Sequence, residues 1–176
     1  MRTVCLLFWA MMFCCWSVPV SRAELPGVEY KVKAAFLLNF ARFITWPADS
    51  DQGGPFPLCI VGVDPFGDAL SGIEAKKVGG KEVELRFPAA NSRELGQCRM
   101  LFISQSEKRN ISRILKLIDG KPVVTVSDVD GFADAGGTFE FKDLRGRLSF
   151  VINNSGAKAR GFGISSSLLN LAVDVL

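Results

Sequence analysis

The sequence predicts an α/β fold, a mostly parallel sheet flanked by helices, on three observations. Short unbroken apolar runs recur along the chain, as in strands buried on both faces. Helical stretches with capping residues alternate with them. The length of 176 residues, with 48% apolar and 22% charged side chains, suits one domain with a sizeable core.

The first element is expected to be lost. Arg2 precedes the uncharged stretch Val4 to Trp16, and Pro19 precedes Ser21-Arg22-Ala23. This pattern is that of a secretory signal, residues 1–23, cleaved after Ala23. An uncleaved anchor is the alternative, but the apolar run falls short of the roughly twenty residues that span a bilayer. Cleavage leaves residues 24–176 as one domain and turns five cysteines into two, Cys59 and Cys98. Removing Arg2 and Arg22 lowers the net charge from +3 to +1. So small a charge, with no basic run longer than two residues such as Lys76-Lys77, gives no nucleic-acid stripe.

The span Glu29 to Trp46 reads as a helix ended by Pro47. Lys31, Asn39, Arg42 and Thr45 share one narrow face, and Phe36, Leu37, Phe40, Ala41, Phe43, Ile44 and Trp46 cover most of the rest. Such a helix belongs in a core, or else presents Phe43 and Trp46 to a partner. A linker, 49–55, follows. The run 57–63 is a buried strand, and Asp64-Pro65 opens a helix with a carboxylate cap and a proline at the first turn. Lys81 to Phe87 alternates as a strand, and Met100 to Ile103 is a second buried run. Ser104 or Ser106 caps a helix running to Ile118, and Val123 to Val126 is a further strand. Gly137 to Phe141 and Leu148 to Ile152 form an antiparallel hairpin at the sheet edge. The tail from Ser155 reads as helical, with a break near Gly161-Phe-Gly163 and a new start at Ser165.

The absence of histidine excludes Ser-His-Asp and Cys-His nucleophiles and HExxH zinc sites. Other motifs are incomplete. Lys76-Lys-Val-Gly-Gly-Lys81 lacks the first glycine and the Ser/Thr of a phosphate loop. Ser155-Gly-Ala-Lys158 has the spacing of a serine acyl-enzyme without its partner motifs, and Ser155 reads better as a helix cap. Asp128, Asp130 and Asp134 miss the spacing of a calcium loop. Asn110 and Asn153 head glycosylation triplets that matter only in a eukaryotic secretory route. No catalytic residue, metal or cofactor is expected.

Two clusters read as recognition surface, with ordinary caps as the alternative. Asp64 and Phe66 follow a strand at its carboxyl end, where open α/β sheets bind ligands. Asn153, Lys158 and Arg160 surround a strand-to-helix junction, a natural anion site. In an oxidising compartment Cys59 and Cys98 pair as a disulfide, if their strands are parallel neighbours; two buried thiols are the alternative.

The order of several stretches resembles the YfiR family (DUF4154-type) of exported bacterial proteins. They are Val32 to Pro47, Cys59 to Gly67, Leu101 to Glu107, Val124 to Gly137, Arg147 to Asn153 and Ile164 to Ala172. The resemblance implies a periplasmic, non-catalytic repressor of a membrane diguanylate cyclase, acting in cyclic-di-GMP signalling and biofilm control. It binds the periplasmic part of that enzyme, is relieved by an OmpA-like outer-membrane lipoprotein, and forms a homodimer. The resemblance also matches Cys59 and Cys98 to the family's widely spaced cysteine pair. A closer pair near the hairpin is missing, since 137–152 holds no cysteine. The alternative is a periplasmic small-molecule-binding, sensory module using the strand-end clusters.

Overall fold

The computed structural model describes residues 26–50, 53–74 and 76–176. The expected signal segment and its cleavage point lie outside them.

Helix α1, Pro26–Arg42, leads into the two-residue strand β1, Ile44–Thr45. It ends earlier than its apolar periodicity predicts. Phe43 N still donates to the Asn39 carbonyl, but Ile44 and Thr45 then pair antiparallel with Ile164 and Gly163. Two β-branched residues that meet a partner strand prefer the ladder to another helical turn.

The sheet contains β2 (Phe56–Val61), β3 (Lys77–Val78), β4 (Lys81–Arg86), β5 (Met100–Ile103), β6 (Val124–Ser127), β7 (Phe139–Asp143), β8 (Leu148–Ile152) and β10 (Asp174–Val175). Their spatial order is β10-β8-β7-β6-β5-β2-β4-β3. Pairing is parallel throughout except for β3 with β4 and β7 with β8. The predicted mostly parallel sheet and its antiparallel hairpin are both present. The hairpin is not the outermost pair, because β10 adds to β8 from a tail expected to be helical.

Alternation along the central strands sorts side chains into two cores. Leu58, Ile60, Met100, Phe102, Val124 and Val126 face α1, where Phe40 stacks on Phe139 with centroids 4.3 Å apart. Cys59, Val61, Leu101 and Ile103 face the opposite side, under α3 (Ile111–Leu117) and Phe132. The short helices α2 (Ser71–Glu74), α4 (Asn154–Ala159) and α5 (Ser166–Leu169), with β9 (Gly163–Ile164), complete the chain.

The helix expected after Asp64-Pro65 is only a 3₁₀ turn, Gly67–Leu70, followed by the single turn α2. Gly67 at φ 49° delays regular helix. Lys76 to Lys81 is the β3–β4 hairpin; Gly79 and Gly80 stand at positive φ, as a tight two-residue hairpin loop requires. Ser104 caps a 3₁₀ segment, Gln105–Asn110, that precedes α3. Ser155 is not the cap of α4: Asn153 is, its Oδ1 accepting from Gly156 N at 2.7 Å. Ser165 caps α5 as expected.

Candidate functional site

The chain direction in the sheet decides which sequence candidates can meet. Asp64 and Phe66 follow β2 at its carboxyl end. Asn153 follows β8, which runs against β7, so it lies at the end where the parallel strands begin. The two clusters therefore occupy opposite ends of the sheet.

At the carboxyl end, the crossover between β4 and β5 on either side of β2 creates the position where open sheets commonly hold ligands. Here that position is filled. Ser104 N donates to the Val61 carbonyl, and Val63 N donates to Ser106 Oγ at 2.9 Å. Gly62 sits at φ 92°, with Ser106 Oγ 2.4 Å from where a Cβ would stand. Asp64 is exposed and accepts Phe66 N at 2.8 Å, an ordinary side-chain turn. Phe66 is buried, packed on Tyr30 and Phe102, so its ring offers no surface to a partner.

At the amino end, the short β1–β9 ladder gathers residues far apart in sequence. Trp46 packs edge-on against Phe56 and Phe162, while Nε1 donates to the Ala41 carbonyl at 3.3 Å. Arg99 lies over the Trp46 ring at 4.5 Å. Two clefts of about 400 and 320 Å³ share Phe56, Lys81 and Arg99, the first lined also by Trp46. A wider cleft of about 890 Å³ runs from Pro47 to Lys121 and Arg160. Phe43 is exposed beside this ladder, and its carbonyl accepts Ser165 N. Phe43, Trp46 and Arg160 thus belong to one end of the molecule.

Arg160 is less available than its sequence position implies. Its guanidinium donates to the Gly156 carbonyl and to Thr138 Oγ1, at 3.1 and 2.9 Å. Burial holds its pKa below the ordinary arginine value, though an arginine remains charged. Lys158 is exposed on α4, and Asn153 is committed to the cap. This end carries aromatic edges and several cations.

Cys59 and Cys98 are joined in a disulfide, with Cα atoms 5.9 Å apart. β2 and β5 are parallel neighbours, and Cys59 pairs in register with Leu101. Cys98 ends the 3₁₀ turn Arg93–Gln97 that feeds β5. The bridge is buried in the core beneath α3.

A second polar cluster holds Asp128 and Asp130, which the sequence offered only as part of an incomplete calcium loop. Lys33 of α1, 4% exposed, reaches Asp128 Oδ2 at 2.6 Å and Glu29 Oε1 at 2.7 Å. Tyr30 OH donates to the same Asp128 oxygen at 2.8 Å. Burial, then the hydrogen bond to Asp128, pushes the Tyr30 phenol far above its usual value. Behind it, the buried Glu140 accepts Gly131 N and Ala133 N and pairs with Lys142. The spacing Tyr30–Lys33 signalled only a helix face; nothing in the sequence tied it to Asp128, 95 residues from Lys33. Asp128, Asp130 and Asp134 do not gather around an ion. The first two are drawn to different lysines, and no group of three or more His, Cys, Asp or Glu among the described residues could hold a metal.

This is a single α/β domain. A family model, DUF4154, YfiR/HmsC-like, matches residues 30–173, and the chain belongs to that family. Two solved structures share the fold at low identity. One is a conserved domain protein from Vibrio cholerae O1 biovar El Tor, with TM-score 0.55, 9% identity, and 84% of this chain covered. The other is an ABC domain in complex with L-Trp from Streptococcus pneumonia, with TM-score 0.55, 12% identity, and 81% covered. This chain spans 60% of each of those two.

Proposed function

We propose that this protein is a periplasmic regulator that represses a membrane-bound diguanylate cyclase by binding the enzyme's periplasmic part. The observation that carries this reading is the match of the YfiR/HmsC-like family over residues 30–173. Two features support it: the aromatic and cationic amino-end surface around Phe43, Trp46 and Arg160, and a described chain in which no helix is long and apolar enough to cross a membrane. Repression works by population shift. The regulator binds the partner's inactive conformation more tightly, and its capture by an OmpA-like lipoprotein releases the enzyme. Homodimerisation of the regulator belongs to the same reading.

Deleting the gene and measuring cyclic-di-GMP tests it. Derepression raises the second messenger, and crosslinking in the periplasm recovers a membrane protein with a diguanylate cyclase domain. An unchanged level with no such partner overturns the proposal. A second reading, a small-molecule sensory module, draws on the cleft between Pro47 and Arg160. Saturable thermal stabilisation by a small ligand, mapped to that cleft, would favour it.

A further inference from the structure

The outer face of α3 is a strongly charged surface that the partner reading leaves unused. Ile111, Ile114 and Ile118 are buried against the sheet. At 3.6 residues per turn this sends Arg109, Arg113 and Lys116 to the opposite side, where all three are exposed. Lys108 and Lys121, also exposed, flank the two ends of the row. Residues 105–121 hold five lysines and arginines against two acids, a net +3. That equals the net charge of the whole chain, so everything else sums to zero. The excess positive charge of this protein is gathered along one helix face.

Both acids of the segment are occupied locally. Glu107 Oε2 accepts from Asn110 Nδ2 at 2.7 Å, and Asp119 Oδ1 accepts Gly120 N at 3.0 Å. Among the described residues, ion pairs fall at Lys33, Arg86 and Lys142, and none includes the five cations of this row. Arg109 and Arg113, four residues apart, repel each other, and no carboxylate on the helix relieves them. The isolated fold gains nothing from such a row. Leu117, 45% exposed, stands one turn beyond Arg113 on the same side. The row lies on the outside of a helix and not in a groove: of these residues only Lys121 reaches an amino-end cleft.

We propose that this face docks the protein on a membrane surface of anionic phospholipid headgroups. The chemistry favours lipid over an acidic polypeptide. A bound peptide is held by a groove or a free sheet edge, and the outer face of α3 has neither. Long cationic side chains without fixed acceptors match a plane of mobile phosphates. Leu117, set among them, can enter the headgroup layer. The other face of the sheet, with α1, and the exposed Phe43 are left clear of the lipid. Confinement to a surface raises the effective concentration of the protein beside any membrane partner. Docking itself needs no such partner, so the inference stands without the repressor reading.

The probes are vesicles of phosphatidylcholine alone or mixed with phosphatidylglycerol, sedimented with the mature protein, residues 24–176. Binding is expected only to the mixed vesicles. It should fall by about tenfold or more when salt is raised to about 1 M, where the screening length is about 3 Å. Near an anionic surface each cation contributes about fivefold in partitioning, so Arg113→Gln with Lys116→Gln should weaken binding by roughly twentyfold. Lys76→Gln with Lys77→Gln removes the same charge at the β3–β4 hairpin and should weaken it by no more than about twofold. Circular dichroism establishes that both double variants fold, and the salt dependence of the wild type needs neither. Absence of binding to the mixed vesicles, equal binding to both kinds, indifference to salt, or equal loss in the two double variants would each overturn the assignment. Capture by soluble poly-L-aspartate without vesicle binding would overturn it in favour of an acidic polypeptide. None of these measurements reads cyclic-di-GMP, so failure here and failure of the repressor reading are separate results.

Discussion

Tyr30 is the one tyrosine of the chain, so its phenolate absorbance reports a single site. Burial and Asp128 hold its folded pKa well above the ordinary value near 10. A raised pKa means the neutral phenol is favoured in the folded state. The stability it contributes is whole below about pH 10 and is lost as pH rises towards the folded pKa. Titration of native protein is expected to show no phenolate at pH values where protein in urea is already ionised. Tyr30→Phe should blunt the alkaline loss of stability while costing about 1–2 kcal/mol at neutral pH, read from urea midpoints. Gly137 makes another residue-scale demand: a Cβ there would stand 2.1 Å from the buried Phe132 ring. Gly137→Ala is expected to destabilise by about 1–3 kcal/mol, also read from urea midpoints.

Among the elements, the strands were the most legible in sequence, and the reason is physical. A run such as Met100 to Ile103 is apolar on both faces because helices cover both faces of the sheet. The end of α1 was not legible, because Phe43 to Trp46 continue the helical periodicity and β9, whose ladder captures Ile44, lies some 120 residues away. The same applies to β10, where four exposed apolar residues, Leu171, Val173, Val175 and Leu176, gave no periodic signal. Of the candidate site, Trp46 and Arg160 could be named singly, but only the fold shows that they share an end and that Asp64 does not. The Asp128 cluster was legible only in part: Asp128, Asp130 and Asp134 stood out as an incomplete calcium loop, but nothing in the sequence tied Asp128 to Tyr30 and Lys33. The disulfide spans a sequence separation of 39, so replacing both cysteines with alanine should cost about 4 kcal/mol in the chain-entropy picture. Thermal or urea unfolding of that variant checks the figure.

For the whole molecule, two ends of one sheet carry two different kinds of surface. The amino end is aromatic and cationic around Trp46, Arg99 and Arg160; the carboxyl end is acidic around Asp128. If partner binding uses the amino end, Phe43→Glu places a charge on its exposed ring position and should raise cyclic-di-GMP towards the deletion level, with the fold intact by circular dichroism. Gln105→Ala, at the other end, should leave repression unchanged. Equal derepression by both variants would mean that the ends are not separate in function.

The buried bridge also has a kinetic meaning. β2 and β5 are adjacent in space, yet β3, β4 and a long loop intervene in the chain, so their pairing closes a large loop before any contact rewards it. Cys59 and Cys98 hold that closure in the unfolded chain. With the bond intact, the search for the central strand pair begins nearly complete. Refolding of the oxidised protein from urea should therefore outpace that of the reduced protein. In an oxidising compartment, the order of events would be oxidation first and sheet assembly second.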